Sequence, residues 1–157
     1  MSIVMKFGGT SVGDAKAIER VAEIVRGRLP QKPAVVVSAM ARVTDQLLKM
    51  AHSAGTGDRK NALTLARELR ERHYNTAGEL LGTALFTQFH NDLGAEFEEL
   101  EELLRGISAV GELTPRTTDH VASFGEVLSS KLVTAALSAH EIESTLVDSR
   151  DCIARSS

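Results

Sequence analysis

Apolar positions along the chain follow two rhythms, one of short unbroken runs and one of helical spacing. Ser2 to Phe7 is a short apolar run that stops at Gly8-Gly9, and it predicts a buried strand. Asp14 is then placed to cap a helix, in which Ile18, Val21, Ala22 and Val25 recur at helical spacing before Pro30. Pro33 to Ser38, PAVVVS, is a second β-branched run, apolar towards both sides as strands inside parallel sheets are. Strand, helix and strand in close succession predict a βαβ unit with a right-handed crossover.

Beyond Ser38 the helical rhythm dominates. A short helix is expected from Thr44 or Asp45, carrying Leu47, Leu48 and Ala51, followed by a loop over His52 to Asp58. A longer helix carries Ala62, Ala66, Leu69, Ala77 and Leu80, and the next buries Leu93, Phe97, Leu100 and Leu104. The other face of that helix holds Glu96, Glu98, Glu99, Glu101 and Glu102, read as a solvated surface. GELTPRTTD is a polar connection with Pro115 near its middle, and a helix from Thr118 to about His140 buries Val121, Leu128, Leu132 and Ala136. Ser144 to Ser149, STLVDS, is expected to be a third strand, with no helix after it in RDCIARSS. The fold class is therefore α/β: one domain over residues 1–157, with an open, mainly parallel sheet, helices on both faces, and an unfinished C-terminal side.

Composition narrows the function classes. Of 157 residues, 43% are hydrophobic, enough for one domain with a core of Val, Leu, Ile and Ala. A formal charge of -3 is no footprint for nucleic acid or an anionic membrane. Cys152 is the only cysteine, read as an ordinary buried thiol, which excludes an internal disulfide and a Cys-rich zinc site. The five histidines lack metal-like spacing and read as surface or satisfied core residues; G-x-S-x-G is absent. MSIVMKFGG has neither the basic start nor the apolar run of a signal peptide, and no stretch has the roughly 18 apolar residues of a membrane span. A cytoplasmic protein is expected.

Three stretches can carry chemistry. In KFGGTSVGD a strand ends in Gly8-Gly9 and turns into a helix, leaving backbone N–H groups free to bind an anion, with Lys6 just upstream and Thr10-Ser11 behind. The Walker-type phosphate loop puts its lysine after the glycines, where this chain has Asp14. A tight turn with a surface lysine is the plainer alternative. In SAMARVTD, Ser38 and Thr44 offer hydroxyls at the carboxyl end of the second strand, where open α/β sheets bind ligands; Thr44 or Asp45 serves equally as a helix cap. In SFGEVLSS, Gly125 lies inside a predicted helix at a cost of about 1 kcal/mol relative to alanine, which points to close approach of another element or a ligand. Glu126 beside it is either an ammonium-binding carboxylate or an exposed helix residue.

Taken together, KFGGTSV, VVVSAM…VTD, SFGEVLSSKL and VDSRD, in this order, resemble the aspartate kinases of the amino-acid kinase family. The resemblance covers nearly the whole chain and concerns the front part of such an enzyme. It implies that Lys6 reaches the phosphates from the strand side, with Gly8, Gly9, Thr10 and Ser11 as the phosphate cradle. It also implies substrate contacts from Ser38, Thr44 and Glu126, the last holding the α-ammonium of L-aspartate. The implied reaction moves the ATP γ-phosphoryl group, with Mg²⁺, to the aspartate side-chain carboxylate. The products are 4-phospho-L-aspartate and ADP, the first step towards lysine, threonine and methionine. The family's later G-R-G-G-S-D-type block, its nucleotide-binding half and its ACT domains are not in these 157 residues, so the chain alone is expected to be inactive. Family members often have small residues or glycines after S-A-M, where this chain has Ala41-Arg42; that arginine either contacts an anion or points to solvent. A glutamate or N-acetylglutamate kinase and a non-catalytic assembly module are the alternatives, and a homo-oligomer is left open. S-F-G-E and the helical insert from Asn61 to Leu104 favour aspartate.

Overall fold

The computed structural model describes residues 2–152. Strands β1 (Val4–Phe7) and β2 (Ala34–Val37) pair in parallel, with Val4 opposite Ala34 and Phe7 opposite Val37. Because side chains alternate along a strand, Phe7, Val35 and Val37 pack against the core while Lys6 turns outward beside Val4 and Val36. Val4 is 74% exposed and Val36 48%. The strands are therefore half-exposed rather than buried as their apolar runs predicted, a face unusual for a parallel sheet, which is normally covered on both sides.

Helix α1 (Ala15–Arg26) forms the crossover between the strands. The Asp14 carboxylate accepts from Ala17 N at 2.8 Å, so the predicted cap is present. Four longer helices follow: α2 (Val43–Gly55), α3 (Arg59–Leu80), α4 (Thr83–Val110) and α5 (Pro115–Ala139). Their apolar stripes meet in one core, where Leu47, Leu69, Phe97, Leu100, Phe124 and Leu128 are fully buried. At about 2 kcal/mol for each large apolar side chain removed from water, this helical core is the main source of stability.

Several boundaries differ from the expected ones. α2 starts at Val43, before Thr44, and runs through His52 to Gly55, so the loop shrinks to Thr56–Asp58. Pro115 is the first residue of α5 rather than the middle of a connection. Thr114 Oγ1 accepts from Thr117 N at 3.2 Å, and proline suits the first helical position because it has no N–H to leave unpaired there. STLVDS is not a strand: residues 144–148 are irregular and lead into a single helical turn, α6 (Ser149–Cys152). A strand needs a ladder partner, and the described sheet has only β1 and β2. Asp148 is instead fixed by Arg150, whose Nη2 lies 2.7 Å from Oδ2, and the pairing holds the Asp148 carboxyl below its ordinary pKa. Cys152 is exposed rather than buried, and residues 153–157 of RDCIARSS lie outside the described residues.

The acidic face of α4 is not uniformly solvated. Glu98, Glu99 and Glu102 are exposed. Glu96 pairs with Lys131 at 2.7 Å, and Glu101 with Arg70 at 2.7 Å and Arg105 at 3.0 Å. His73 lies fully buried between α3 and α4, edge-on to Phe97. Its Nδ1 donates to the Leu69 carbonyl at 2.8 Å, and among the described residues Nε2 has no partner. This core histidine is therefore only half satisfied.

Candidate functional site

The carboxyl ends of the two parallel strands and one turn of α5 form a single junction. After β1, Gly8 stays extended with φ -74° and ψ 175°, and a 3-10 turn follows over Gly9–Val12. Ser11 N donates to the Gly8 carbonyl at 3.0 Å. A Cβ on Gly9 would lie 2.9 Å from the Ala39 carbonyl oxygen, so only glycine fits against the segment that leaves β2. Ser38 N donates to Phe7 O at 3.0 Å and Ala41 N to Gly9 O at 3.1 Å, locking the two strand ends together. Gly8 differs: a Cβ there would meet nothing within 4 Å, so its backbone borders open space.

α5 closes the other side. A Cβ on Gly125 would approach Ala39 Cβ to 2.7 Å and Leu47 Cδ1 to 3.3 Å, so this helical glycine is explained by a neighbouring element. One turn later, Ser129 Oγ donates to the Ser38 carbonyl. Glu126 is exposed immediately beside this contact. Lys6 is exposed two residues before Gly8, and among the described residues neither Lys6 nor Glu126 has its charge paired. Thr10 and Ser11 are exposed on the 3-10 turn.

Gly8, Gly9, Ser38, Gly125 and Glu126 are thus gathered at one end of the fold. Thr44 is exposed in the first turn of α2 rather than at its cap, directly after Val43, whose Cγ1 would lie 3.6 Å from a Cβ on Gly125. The cap position belongs to Arg42, with φ 67° and ψ 0°. Lys6, Thr44 and Glu126 make no hydrogen bonds to one another among the described residues. Two features went unpredicted. Ser129 shares a helical face with Gly125, four residues earlier, and that spacing was a usable signal. Arg72 Nη2 donates to the Gly13 carbonyl at 3.3 Å from 59 residues away, and no local pattern announces it.

The profile of the amino acid kinase family matches residues 1–156. The chain belongs to the amino acid kinase family. It is 37% identical over 139 residues to aspartokinase 2, chloroplastic, of Arabidopsis thaliana, covering 87% of this chain and 24% of that protein. A maize (Zea mays) bifunctional aspartokinase/homoserine dehydrogenase 2, chloroplastic, is 32% identical over 150 residues, covering 96% of this chain and 16% of its own length. The chain therefore spans a quarter or less of these relatives. Among solved structures, E. coli aspartokinase III in complex with lysine and aspartate (T-state) superposes with a TM-score of 0.75 at 24% identity. The same enzyme in complex with aspartate and ADP (R-state) gives 0.70 at 26%. Each superposition covers 90% of this chain and 30% of the other. The fold is aspartokinase-like, an incomplete α/β amino-acid kinase fold. No described helix is long and apolar enough to cross a membrane.

Proposed function

We propose that residues 1–157 are the substrate-side portion of an aspartate kinase domain. In the reaction, a side-chain carboxylate oxygen of L-aspartate forms a bond to the γ-phosphorus of ATP. The bond from that phosphorus to the β–γ bridging oxygen breaks, and ADP leaves. The carboxylate is already a nucleophile, so the protein's work is in-line positioning and neutralisation of spreading charge. Lys6 supplies a cation from the strand side. The Gly8–Gly9 backbone, with Thr10 and Ser11, offers donors to phosphoryl oxygens, and Ser38, Thr44 and Glu126 hold the amino acid, Glu126 by its ammonium.

The observation that carries this reading is the junction at Ala39, which Gly9 meets from one side and Gly125 from the other. It sets the open edge at Gly8 and the unpaired carboxylate of Glu126 at the same end of the fold. The relatives named as aspartokinases, and the neighbour holding aspartate and ADP, support the same substrates. Mg²⁺ enters this reading with the nucleotide. Among the described residues no group of three His, Cys, Asp or Glu side chains is placed to hold a metal ion, and Mg²⁺ carried by phosphate oxygens and water does not require one. The chain spans 24% or less of the named relatives, and turnover of ATP by these residues alone is expected to be negligible. A cytoplasmic location is part of the proposal, although the plant relatives are named chloroplastic.

Isothermal titration tests the site. L-Aspartate is expected to bind wild type and to lose its affinity in Glu126→Ala, whereas inorganic phosphate loses its affinity in Lys6→Ala. Absence of both ligands, or binding unchanged in both variants, identifies a scaffold without the chemistry. A preference for L-glutamate over L-aspartate overturns the substrate assignment.

A further inference from the structure

Two arginines outside the proposed machinery stand against the same glycine turn. Arg42 holds the left-handed conformation, φ 67°, which glycine adopts freely and a long side chain does not, and its side chain is exposed. It directly follows Ala41, whose amide is bonded to Gly9 O at 3.1 Å. Arg72 reaches the far end of that turn from α3, with Nη2 3.3 Å from the Gly13 carbonyl. Gly13 in turn backs onto Ala41: a Cβ there would lie 3.4 Å from Ala41 Cβ. Both guanidinium-bearing residues therefore border the Gly9–Gly13 segment, and among the described residues neither is paired with a carboxylate. Burial, with the charge of Arg42 second, lowers the pKa of the Arg72 guanidinium.

Two like charges beside one turn, one of them held on the Gly13 carbonyl and neither paired with a carboxylate among the described residues, are disfavoured until an anion arrives. Guanidinium forks match phosphoryl oxygens in shape and charge. Strain held at an exposed residue has the same direction: Arg42 keeps a left-handed backbone that glycine would adopt more easily, while its side chain stays in solvent.

We propose that Arg42 and Arg72 form a guanidinium clamp for the oxygens of the phosphoryl group received by the Gly8–Gly9 turn, adding to the charge that Lys6 brings. The clamp rests on the reading of that turn as a phosphoryl cradle. It goes further by naming two residues that the substrate contacts do not include.

Calorimetric titration with inorganic phosphate, and separately with L-aspartate, decides it on wild type, Arg42→Gly, Arg72→Gln and Lys6→Ala, with thermal melts confirming the fold. Phosphate affinity is expected to fall roughly ten- to a hundredfold in each arginine variant, as for loss of one charge-assisted hydrogen bond, while aspartate affinity holds within about twofold. If Arg72→Gln melts early, Arg42→Gly decides alone, because no packing is lost with that exposed side chain. Phosphate affinity unchanged in Arg42→Gly overturns the clamp, and so does a fall in aspartate affinity instead, which assigns the arginines to a carboxylate. Phosphate binding lost in Lys6→Ala but intact in the arginine variants leaves the cradle standing without the clamp. Wild type that binds no phosphate removes both.

Discussion

One methyl group added at Gly125 tests whether α5 and the segment leaving β2 form one wall of the site. The new Cβ would lie 2.7 Å from Ala39 Cβ and 3.3 Å from Leu47 Cδ1. Carbon atoms settle at about 3.5–4.0 Å, so the first contact is short by about 1 Å. Ala39 Cβ is fixed to the backbone, so relief requires a shift of the main chain. Such overpacking costs about 1–3 kcal/mol. The shift also draws Ser129 Oγ from the Ser38 carbonyl, a further loss of about 1 kcal/mol. Against this stands a gain of about 1 kcal/mol in helix propensity. Gly125→Ala is therefore expected to destabilise the protein by about 1–3 kcal/mol in urea unfolding followed by circular dichroism. Ala39→Gly removes the partner methyl, so the double variant should recover at least about 1 kcal/mol relative to the sum of the two single changes. If Gly125→Ala is neutral or stabilising, α5 does not press on Ala39, and the junction described above is wrong.

The two loop glycines should separate. Gly9→Ala drives a Cβ against the Ala39 carbonyl and is expected to cost about 1–3 kcal/mol, whereas Gly8→Ala should melt like wild type and bind inorganic phosphate more weakly. Equal melting of the two variants contradicts this. Arg42→Gly relieves a left-handed residue worth about 1–2 kcal/mol, less the extra entropy of glycine. A net gain of about 0.5–1 kcal/mol in chemical unfolding is expected, and a net loss would mean that the side chain packs. His73 sets an acid limit. Burial, with Arg72 adding to it and the Leu69 hydrogen bond opposing, lowers its pKa from 6.5 to about 4. Above pH 6.5 the imidazole is neutral in native and unfolded chains alike. As pH falls towards 4 only the unfolded chain takes up the proton, and about 3 kcal/mol of stability is lost. His73→Leu should flatten the pH dependence of unfolding between 6.5 and 4, and an unchanged slope would show that His73 is accessible to protons.

Local chemistry made much of the fold readable. β1, the Asp14 cap, β2 and the stripes of α3 and α4 each follow from a run, a cap or a period contained within a few residues. The misread boundaries came from residues with two uses. Pro115 marks a turn or a first helical turn, and only the Thr114 cap distinguishes them. The start of α2 depends on Arg42 taking a backbone conformation that its residue type does not favour. STLVDS has strand-forming residues, but a strand exists only with a neighbour to bond, and that is a tertiary property. The site divides in the same way. Lys6, Gly8, Gly9, Ser38 and Glu126 lie in short recognisable blocks. The Ser129–Ser38 and Arg72–Gly13 bonds join residues 91 and 59 positions apart, beyond the reach of any local pattern.

The proposed phosphoryl cradle is most directly tested by following backbone amide resonances during a titration with inorganic phosphate. Saturable shifts confined to Gly8, Gly9, Thr10 and Ser11, and abolished in Lys6→Ala, are the predicted result. Shifts spread over the surface without saturation, or shifts at Gly8 and Gly9 that persist unchanged in Lys6→Ala, would contradict it.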